Sequence, residues 1–148
     1  MSSPVKTRVL DQLEVVVGAA TGVNEAVRHP SAPIDLDDFN VNKVFLFDED
    51  ETTAERNRKT RKTFTLHTEC WTRQEGGMKA ISDAADLLQA NITAALLTDA
   101  TLRTLSIRVR EANPCAAKFY HDEEQGGVIL RYEITYEHTT HDLTKINP

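Results

Sequence analysis

The sequence predicts an α+β protein: a single domain with a mixed, largely antiparallel β-sheet and two main helices packed on one face. Two stretches, 63–71 and 126–139, alternate apolar and polar residues, as half-buried strands do. Two others, 5–20 and 78–97, repeat apolar residues at helical spacing. The predicted order is helix, strand, strand, helix, strand, strand. Adjacent pairs of strands around one crossover helix favour an antiparallel or mixed sheet with its helices on one face.

Composition sets the broad class of the protein. The 148 residues suffice for one domain, and the 40% apolar and 27% charged residues are ordinary for a globular protein. A net charge of −6 argues against a protein that grips nucleic-acid phosphates. Cys70 and Cys115 are too few for a disulfide framework, so we expect buried thiols in a reducing compartment. No apolar run approaches the roughly 20 residues of a membrane span, and residues 1–10 lack a signal core, so we expect a cytosolic protein without membrane contact.

The first element is predicted to be an amphipathic helix. Ser3 is expected to cap this helix and Pro4 to occupy its first position, where a missing N–H costs nothing. Either Gly18 or Gly22 is expected to end it. Its apolar stripe consists of Val5, Val9, Leu13, Val16, Val17 and Ala20.

The segment 24–40 is predicted to be irregular, and residues 41–47 are predicted to form a buried strand. The irregular segment contains Pro30, Pro33 and an acidic cluster of Asp35, Asp37 and Asp38. The strand prediction rests on the apolar run VNKVFLF.

The segment 48–62 is predicted to be a charged, solvated loop or hairpin tip, because its sign-split run of charges cannot contribute to a core. Its acidic residues are Asp48, Glu49, Asp50, Glu51 and Glu55, and its basic residues are Arg56, Arg58, Lys59, Arg61 and Lys62. Two interpretations remain open at this point. The segment is either a mobile exposed loop or an arm whose charges pair with those of a neighbouring subunit.

Four elements are predicted to follow the charged segment. In the strand 63–71, Phe64, Leu66, Thr68 and Cys70 share one face, and Thr65, His67, Glu69 and Trp71 share the other. A helix over 78–97 follows. A third strand begins near Leu102, exposes Arg108 and Arg110, and is broken by Asn113-Pro114. Gly126-Gly127 starts the final strand after a hairpin connection, and a polar tail, 141–148, is expected to pack weakly.

The sequence contains no convincing arrangement for catalysis or for cofactor or metal binding. Gly76-Gly77 precedes a helix but lacks the spacing and the lysine of a phosphate-binding loop. Cys70 and His67 lie on opposite faces of one strand, so they are not a nucleophile and its base. His138, His141 and Asp142 lack the setting of a metal site. Glu133 and Glu137, flanked by Arg131, are expected to form solvated ion pairs. We therefore expect no enzyme, no cofactor and no metal.

Four segments together resemble a known family of phage proteins. They are TRVLDQLEVVV near the N-terminus, the helix ISDAADLLQANITAAL, the strand LSIRVREANPC and the final VILRYEITYEHTTHDL. Their order is similar to that of the small tail terminators of tailed bacteriophages, of the minor tail protein U-like kind. The likeness covers most of the chain in element order and is most specific in RYEITYEH.

The resemblance implies a structural virion protein of the tail or neck, assembled in the host cytoplasm. Members of this family form rings, usually hexamers, that cap a finished tail tube, stop its polymerisation and present a surface for joining the head. The implied partners are other copies of the chain, the tail tube protein and a neck or head-completion protein. Genomic DNA would pass through the lumen without specific binding, which suits an acidic protein.

The charged segment and the strand after it supply the predicted subunit or partner contacts: Glu49, Glu51, Arg56, Arg58, Arg61 and Trp71. Subunits are expected to associate head to tail, either by adding an edge strand to a neighbour's sheet or by reaching across with the segment 48–62. Other hypotheses remain. The chain is a neck or head-completion protein, a tube or sheath-associated protein that polymerises without end, a module that binds a small ligand or peptide, or an enzyme with an unrecognised site.

Overall fold

The helices and strands below come from a computed structural model that describes residues 3–31 and 36–146. The three helices are α1 (Val5–Ala19), α2 (Gly77–Thr98) and α3 (Ala100–Leu105), and the five strands are β1 (Glu25–Arg28), β2 (Asn42–Arg56), β3 (Lys59–Arg73), β4 (Arg108–Tyr120) and β5 (Gln125–Thr139). One sheet contains the strands in the order β1-β2-β3-β5-β4. Only the pairing of β1 with β2 is parallel. The predicted α+β class and the mixed, largely antiparallel sheet with two main helices are thus confirmed.

The hydrophobic core lies between the helices and one face of the sheet. The alternation predicted for β5 is present: Val128, Leu130, Tyr132, Ile134 and Tyr136 are all buried on this face. The apolar stripes of α1 and α2 pack against it, as their helical spacing predicts. Burial of apolar side chains from the two helices and the sheet is the main force that holds these elements together.

The segment 48–62 was predicted to be a charged, solvated loop or hairpin tip; it is the hairpin tip, and most of it is strand rather than loop. It forms the distal part of a long β2–β3 hairpin, in which Arg56 pairs with Lys59. The turn consists of Asn57 and Arg58, which both have positive φ, 53° and 66°, as the tight two-residue hairpin turn requires. The loop alternative was wrong for a physical reason: a charge-rich strand needs no apolar face if its backbone groups find partners. Here β3 supplies those partners to β2, and β5 supplies them to β3.

Three further predictions about secondary structure were wrong. The irregular segment contains β1, although Pro33 and Asp35 lie outside the described residues. The expected start of the third strand is α3, which Asp99 caps by accepting a hydrogen bond from the backbone N–H of Leu102 at 2.8 Å. Pro114 does not end β4. It lies where the register with β5 shifts, between Glu111 and Ala116, so no ladder hydrogen bond is required of it.

Both ends of the described chain also differ from expectation. Pro4 is the cap position of α1 rather than its first residue, and no side chain caps this helix, so Ser3 does not act as predicted. The tail, expected to pack weakly, folds over the start of α1 as far as residue 146. The backbone N–H of Val5 donates to the carbonyl of Leu143 at 2.8 Å, and that of Thr139 donates to Lys145 at 2.9 Å. Residues 147–148 lie outside the described part.

Gly127 is a site where the fold is sensitive to a single methyl group. It lies inside β5 and not in the turn before it, and a Cβ there would sit 1.8 Å from the carbonyl oxygen of Cys70 on β3. We predict that Gly127→Ala lowers the free energy of unfolding by about 3 kcal/mol or prevents folding, because a backbone atom cannot move aside.

Gly18→Ala is the matched control for this substitution. Its Cβ would lie 3.6 Å from that of Ala26, an ordinary contact, within the last turn of α1. Here we expect stabilisation of about 0.5–1 kcal/mol, because alanine favours the helix. Urea unfolding of both variants measures the change in the free energy of unfolding, which should be a decrease for Gly127→Ala and an increase for Gly18→Ala. A Gly127→Ala protein as stable as the wild type would show that the β3–β5 contact is looser than described.

Candidate subunit interface

Both outer edges of the sheet offer unpaired backbone groups. On one side, β1 pairs with β2 only from Lys43 to Leu46, and the last backbone hydrogen bond joins the N–H of His29 to the carbonyl of Leu46 at 2.9 Å. Within residues 3–31 and 36–146, the outer edge of β2 beyond Leu46 therefore has no strand partner. On the other side, β5 is the only described strand that pairs with β4. Open edges of this length are templates for pairing with another chain.

The directions of the strands make the two edges compatible. β2 is antiparallel to β3, β3 to β5, and β5 to β4. It follows that β2 and β4, at opposite edges, run in opposite directions. Two copies placed side by side in the same orientation would therefore bring β4 of one copy antiparallel to β2 of the next. This is the arrangement that a head-to-tail ring needs, and it requires no inversion of any subunit.

The acidic part of β2 is partly engaged inside the subunit. Lys6 of α1 lies 3.1 Å from a carboxylate oxygen of Asp48 and 2.7 Å from one of Glu51. His29 contacts the other carboxylate oxygen of Asp48 at 2.8 Å, and the hydroxyl of Tyr136 donates to Glu51 at 3.3 Å. This network joins the start of α1 to the point where β2 leaves the core.

The pKa values of the network reflect this pairing. Burial by itself raises the pKa of Asp48 and of Glu51, but hydrogen bonds from His29 and Lys6 to Asp48, and from Lys6 to Glu51, lower both pKa values overall. Burial likewise lowers the pKa of Lys6, and its bonds to the two carboxylates raise it overall. The folded state therefore favours the charged form of all three groups.

The contact residues predicted from sequence do not form one cluster. Glu51 and Arg61 are paired within the subunit, Arg61 with Glu137 at 2.7 Å. Arg56 and Arg58 are exposed near the hairpin turn, and neither has an ion-pair partner in the described part of the chain. Glu49 is 46% exposed and lies 4.0 Å from His67. These three side chains are the predicted contacts that remain available to a partner.

Trp71 lies far from the charged hairpin, near the opposite end of β3. Its ring packs edge-on against Phe119 at 4.8 Å and against His121 at 5.7 Å, and its indole N–H is buried without a hydrogen-bond partner among the described residues. Pairing explains this cluster, because Trp71 and Phe119 both lie opposite Gly127. Sequence reasoning missed the cluster, since the two aromatic residues are far apart in the chain.

No described helix packs on the face of the sheet that carries Trp71, which we call the open face. His29, Phe47 and His67 form a second line of ring contacts there, at 5.4 and 5.9 Å. At one end, the guanidinium of Arg73 donates to the backbone carbonyls of Leu36 and Asp37, so the segment 36–40 covers a corner of this face. The alternation of β3 predicted this mixture of polar and aromatic residues, but not its contacts.

Cys70 and His67, the thiol and imidazole that lie close together in the sequence, do not meet in the structure. Burial raises the pKa of the Cys70 thiol to about 12, so it is not a ready nucleophile, and His67 lies on the other face of β3. Across residues 3–31 and 36–146, no three His, Cys, Asp or Glu side chains are grouped to hold a metal ion. No described helix is both long enough and apolar enough to span a membrane.

Comparison with known protein families and with curated proteins finds no match to this chain.

We predict that Lys6→Met lowers the free energy of unfolding and makes it less dependent on pH in the acidic range. Asp48 and Glu51 have folded pKa values below their ordinary 3.8 and 4.5, so their contribution is present above those values and lost as the pH falls through the folded values. Without Lys6 that contribution shrinks, by less than about 1 kcal/mol because the groups are partly solvated. Urea unfolding at about pH 7 and about pH 3 measures the difference.

Lys79→Met is the control, because Lys79 pairs with Asp83 at an exposed position on α2. We expect the control to keep the acid dependence of the wild type. If Lys6→Met also keeps it, the bonds between α1 and β2 do not contribute to folding.

Proposed function

We propose that this chain is a structural subunit of a bacteriophage tail, which forms a closed ring, hexameric by the resemblance, on the end of the tail tube. The ring stops polymerisation of the tube and offers its other surface to the neck or head-completion protein. The observation that carries the proposal is the pair of open sheet edges, β2 and β4, whose directions allow copies in the same orientation to join side by side.

Two further features support a structural role. The α+β architecture agrees with the one that the resemblance to tail terminators implies. The net charge of −6 suits a ring through which DNA moves, because carboxylates around a lumen repel phosphates and prevent adhesion. Neither feature identifies the tube, so the proposal depends on the edges and on the resemblance together.

The basic tip of the hairpin provides a second contact in this scheme. Arg56 and Arg58 lie beyond the part of β2 that is level with β4, because Thr52 and Arg108 lie at the same height in the sheet. The tip would therefore project above the ring junction, where an axial partner such as the last ring of the tube can bind it. The opposite end of the sheet carries the acidic turn Asp122–Glu124 instead. Two ends of different charge would let one ring surface bind the tube while the other does not.

We predict that the purified protein forms closed rings of about six subunits as its concentration rises, because each copy supplies both edges of one contact. Light scattering over a concentration series gives the mass, and negative-stain images of the same fractions show whether the assemblies are closed. A strict monomer at every concentration would contradict self-assembly into a ring. Open filaments would instead favour a tube-like protein that polymerises without end.

The order of assembly separates a terminator from a neck protein. Tail tubes purified from the same phage should bind a terminator at one end and then fail to elongate when tube protein is added. A neck protein should leave elongation unchanged and bind the head-side portal. The measured quantity is the distribution of tube lengths with and without the protein.

A further inference from the structure

The register of the paired strands gives each residue of the two open edges a position along the strand direction, which we call its height. Arg108 of β4 is opposite Thr135 of β5, and Thr135 is opposite Thr63 of β3. Thr63 is in turn opposite Thr52 of β2. Arg108 and Thr52 therefore lie at the same height on opposite edges of one subunit.

Two residues further along β4, on the same face of the sheet, Arg110 lies at the height of an oppositely charged residue of β2. Arg110 is opposite Glu133, and Glu133 is opposite Thr65. Thr65 is opposite Glu49. An arginine on one edge thus lies at the height of a glutamate on the other.

Alternation along β4 places both arginines of this edge on the open face. Val109, between them, is partly buried and packs against the core. The side chains of Arg108 and Arg110 therefore point to the other side of the sheet, which is also the face of Glu49.

For strands that run along the ring axis, a closed ring has no rise from one subunit to the next, so residues at equal height on the two edges meet at every junction. In such a ring, the basic segment Arg108 to Glu111 of one copy is adjacent to the acidic segment Glu49 to Thr52 of the next. Directly opposite residues of an antiparallel pair share a face, so Arg110 would face Glu49, with Arg108 diagonal to it.

The end of β1 coincides with the start of this contact. β1 blocks β2 as far as Leu46, whose height is that of Thr68, Leu130 and Ala116. The register of β4 shifts between Ala116 and Glu111, just beyond that height. The proposed contact is therefore confined to the part of β4 beyond this shift, Arg108 to Glu111, because the neighbour's β1 occupies the edge of β2 as far as Leu46.

Three charged side chains of the two segments, Arg108, Glu49 and Asp50, have few or no charged partners within the described part of the subunit. Arg108 has no ion pair in the part of the chain that the structure describes, and neither does Asp50. Asp50 and Glu51 oppose the single residue Phe64, and this bulge leaves Asp50 exposed at a φ of 51°. Glu49 has only the 4.0 Å contact with His67 among the described residues.

We propose that the ring junction is an antiparallel contact in which Arg108 and Arg110 of one copy bind Glu49 and Asp50 of the next copy. This inference rests on the proposed function and names its interface. Charge complementarity selects the second copy as the occupant, because the facing segments carry opposite charges at matched heights.

Charge reversal on each edge tests the junction. We choose Glu49→Arg and Arg108→Glu, because neither side chain supports the fold, whereas Arg110 is bound to Glu133 at 2.6 Å within its own subunit. Each single variant places like charges at the junction, so association should weaken at least about tenfold. Light scattering gives the dissociation constant, and thermal unfolding should remain that of the wild type. Glu123→Arg, on the remote turn, makes the same charge change and should assemble normally.

Mixing the two single variants provides the decisive measurement. In an equimolar mixture, the edge that carries Arg108→Glu meets the edge that carries Glu49→Arg, so the diagonal pair of this junction has opposite charges again, in the reverse sense, while Arg110 still faces the basic side chain at position 49. The remaining two edges are those of the wild type. The mixture should therefore associate more tightly than either variant alone, although less tightly than the wild type. The combined variant Glu49→Arg/Arg108→Glu should likewise associate more tightly than either single variant.

The outcomes distinguish this interface from the proposed function. If each single variant forms rings as the wild type does, the ring exists but this junction is wrong. Failure of both the mixture and the combined variant, with unchanged unfolding, would also exclude the junction. If the wild type itself never associates, both the interface and the self-assembling ring are refuted.

Discussion

The unbroken pairing of β3 with β5 is the constraint on which the rest of the structure depends. All residues from Lys59 to Arg73 are in register with Thr139 to Gln125. One face of this pair supplies the floor of the core. The distal part of the β2–β3 hairpin is paired along the end of β5. Because the register of β3 and β5 is constant, the position of a residue on β2 can be related to that of a residue on β4. A shift of one residue would reverse the two faces and also separate the charges at the edges.

The sequence could predict those parts of the fold in which burial alternates. β5, β3 and the two main helices place apolar residues at a regular period because one face of each packs against the core. The distal hairpin follows a different rule. Residues beyond Phe47 on β2 carry no buried face, so hydrophobic pattern gives no information there, and backbone pairing with β3 determines the structure. Pro114 was wrongly predicted to end β4 for a similar reason. The register shift that accommodates it depends on the pairing of β4 with β5, and not on the conformational preference of the local sequence.

The candidate interface was predictable in composition but not in arrangement. The run of opposite charges in 48–62 correctly indicated a segment without a place in the core. Which charges are free could not be inferred, because Lys6 and Glu137 come from distant parts of the chain and bind Glu51 and Arg61. Arg108 and Arg110 were assigned correctly to an exposed face. Their relation to Glu49 became visible only through the register of four strands.

The same features that protect the edges from unwanted pairing make a specific contact possible. A bulge on β2, a register shift on β4 and a high density of charge prevent any arbitrary strand from adding a long ladder to either edge. What remains is a short junction whose charges must match. Each copy carries −6 overall, so in the proposed ring copies would repel at distance while the facing segments would attract on contact. Salt screens the repulsion beyond a Debye length of about 8 Å more than it screens close pairs, so such a subunit would assemble without adhering to DNA.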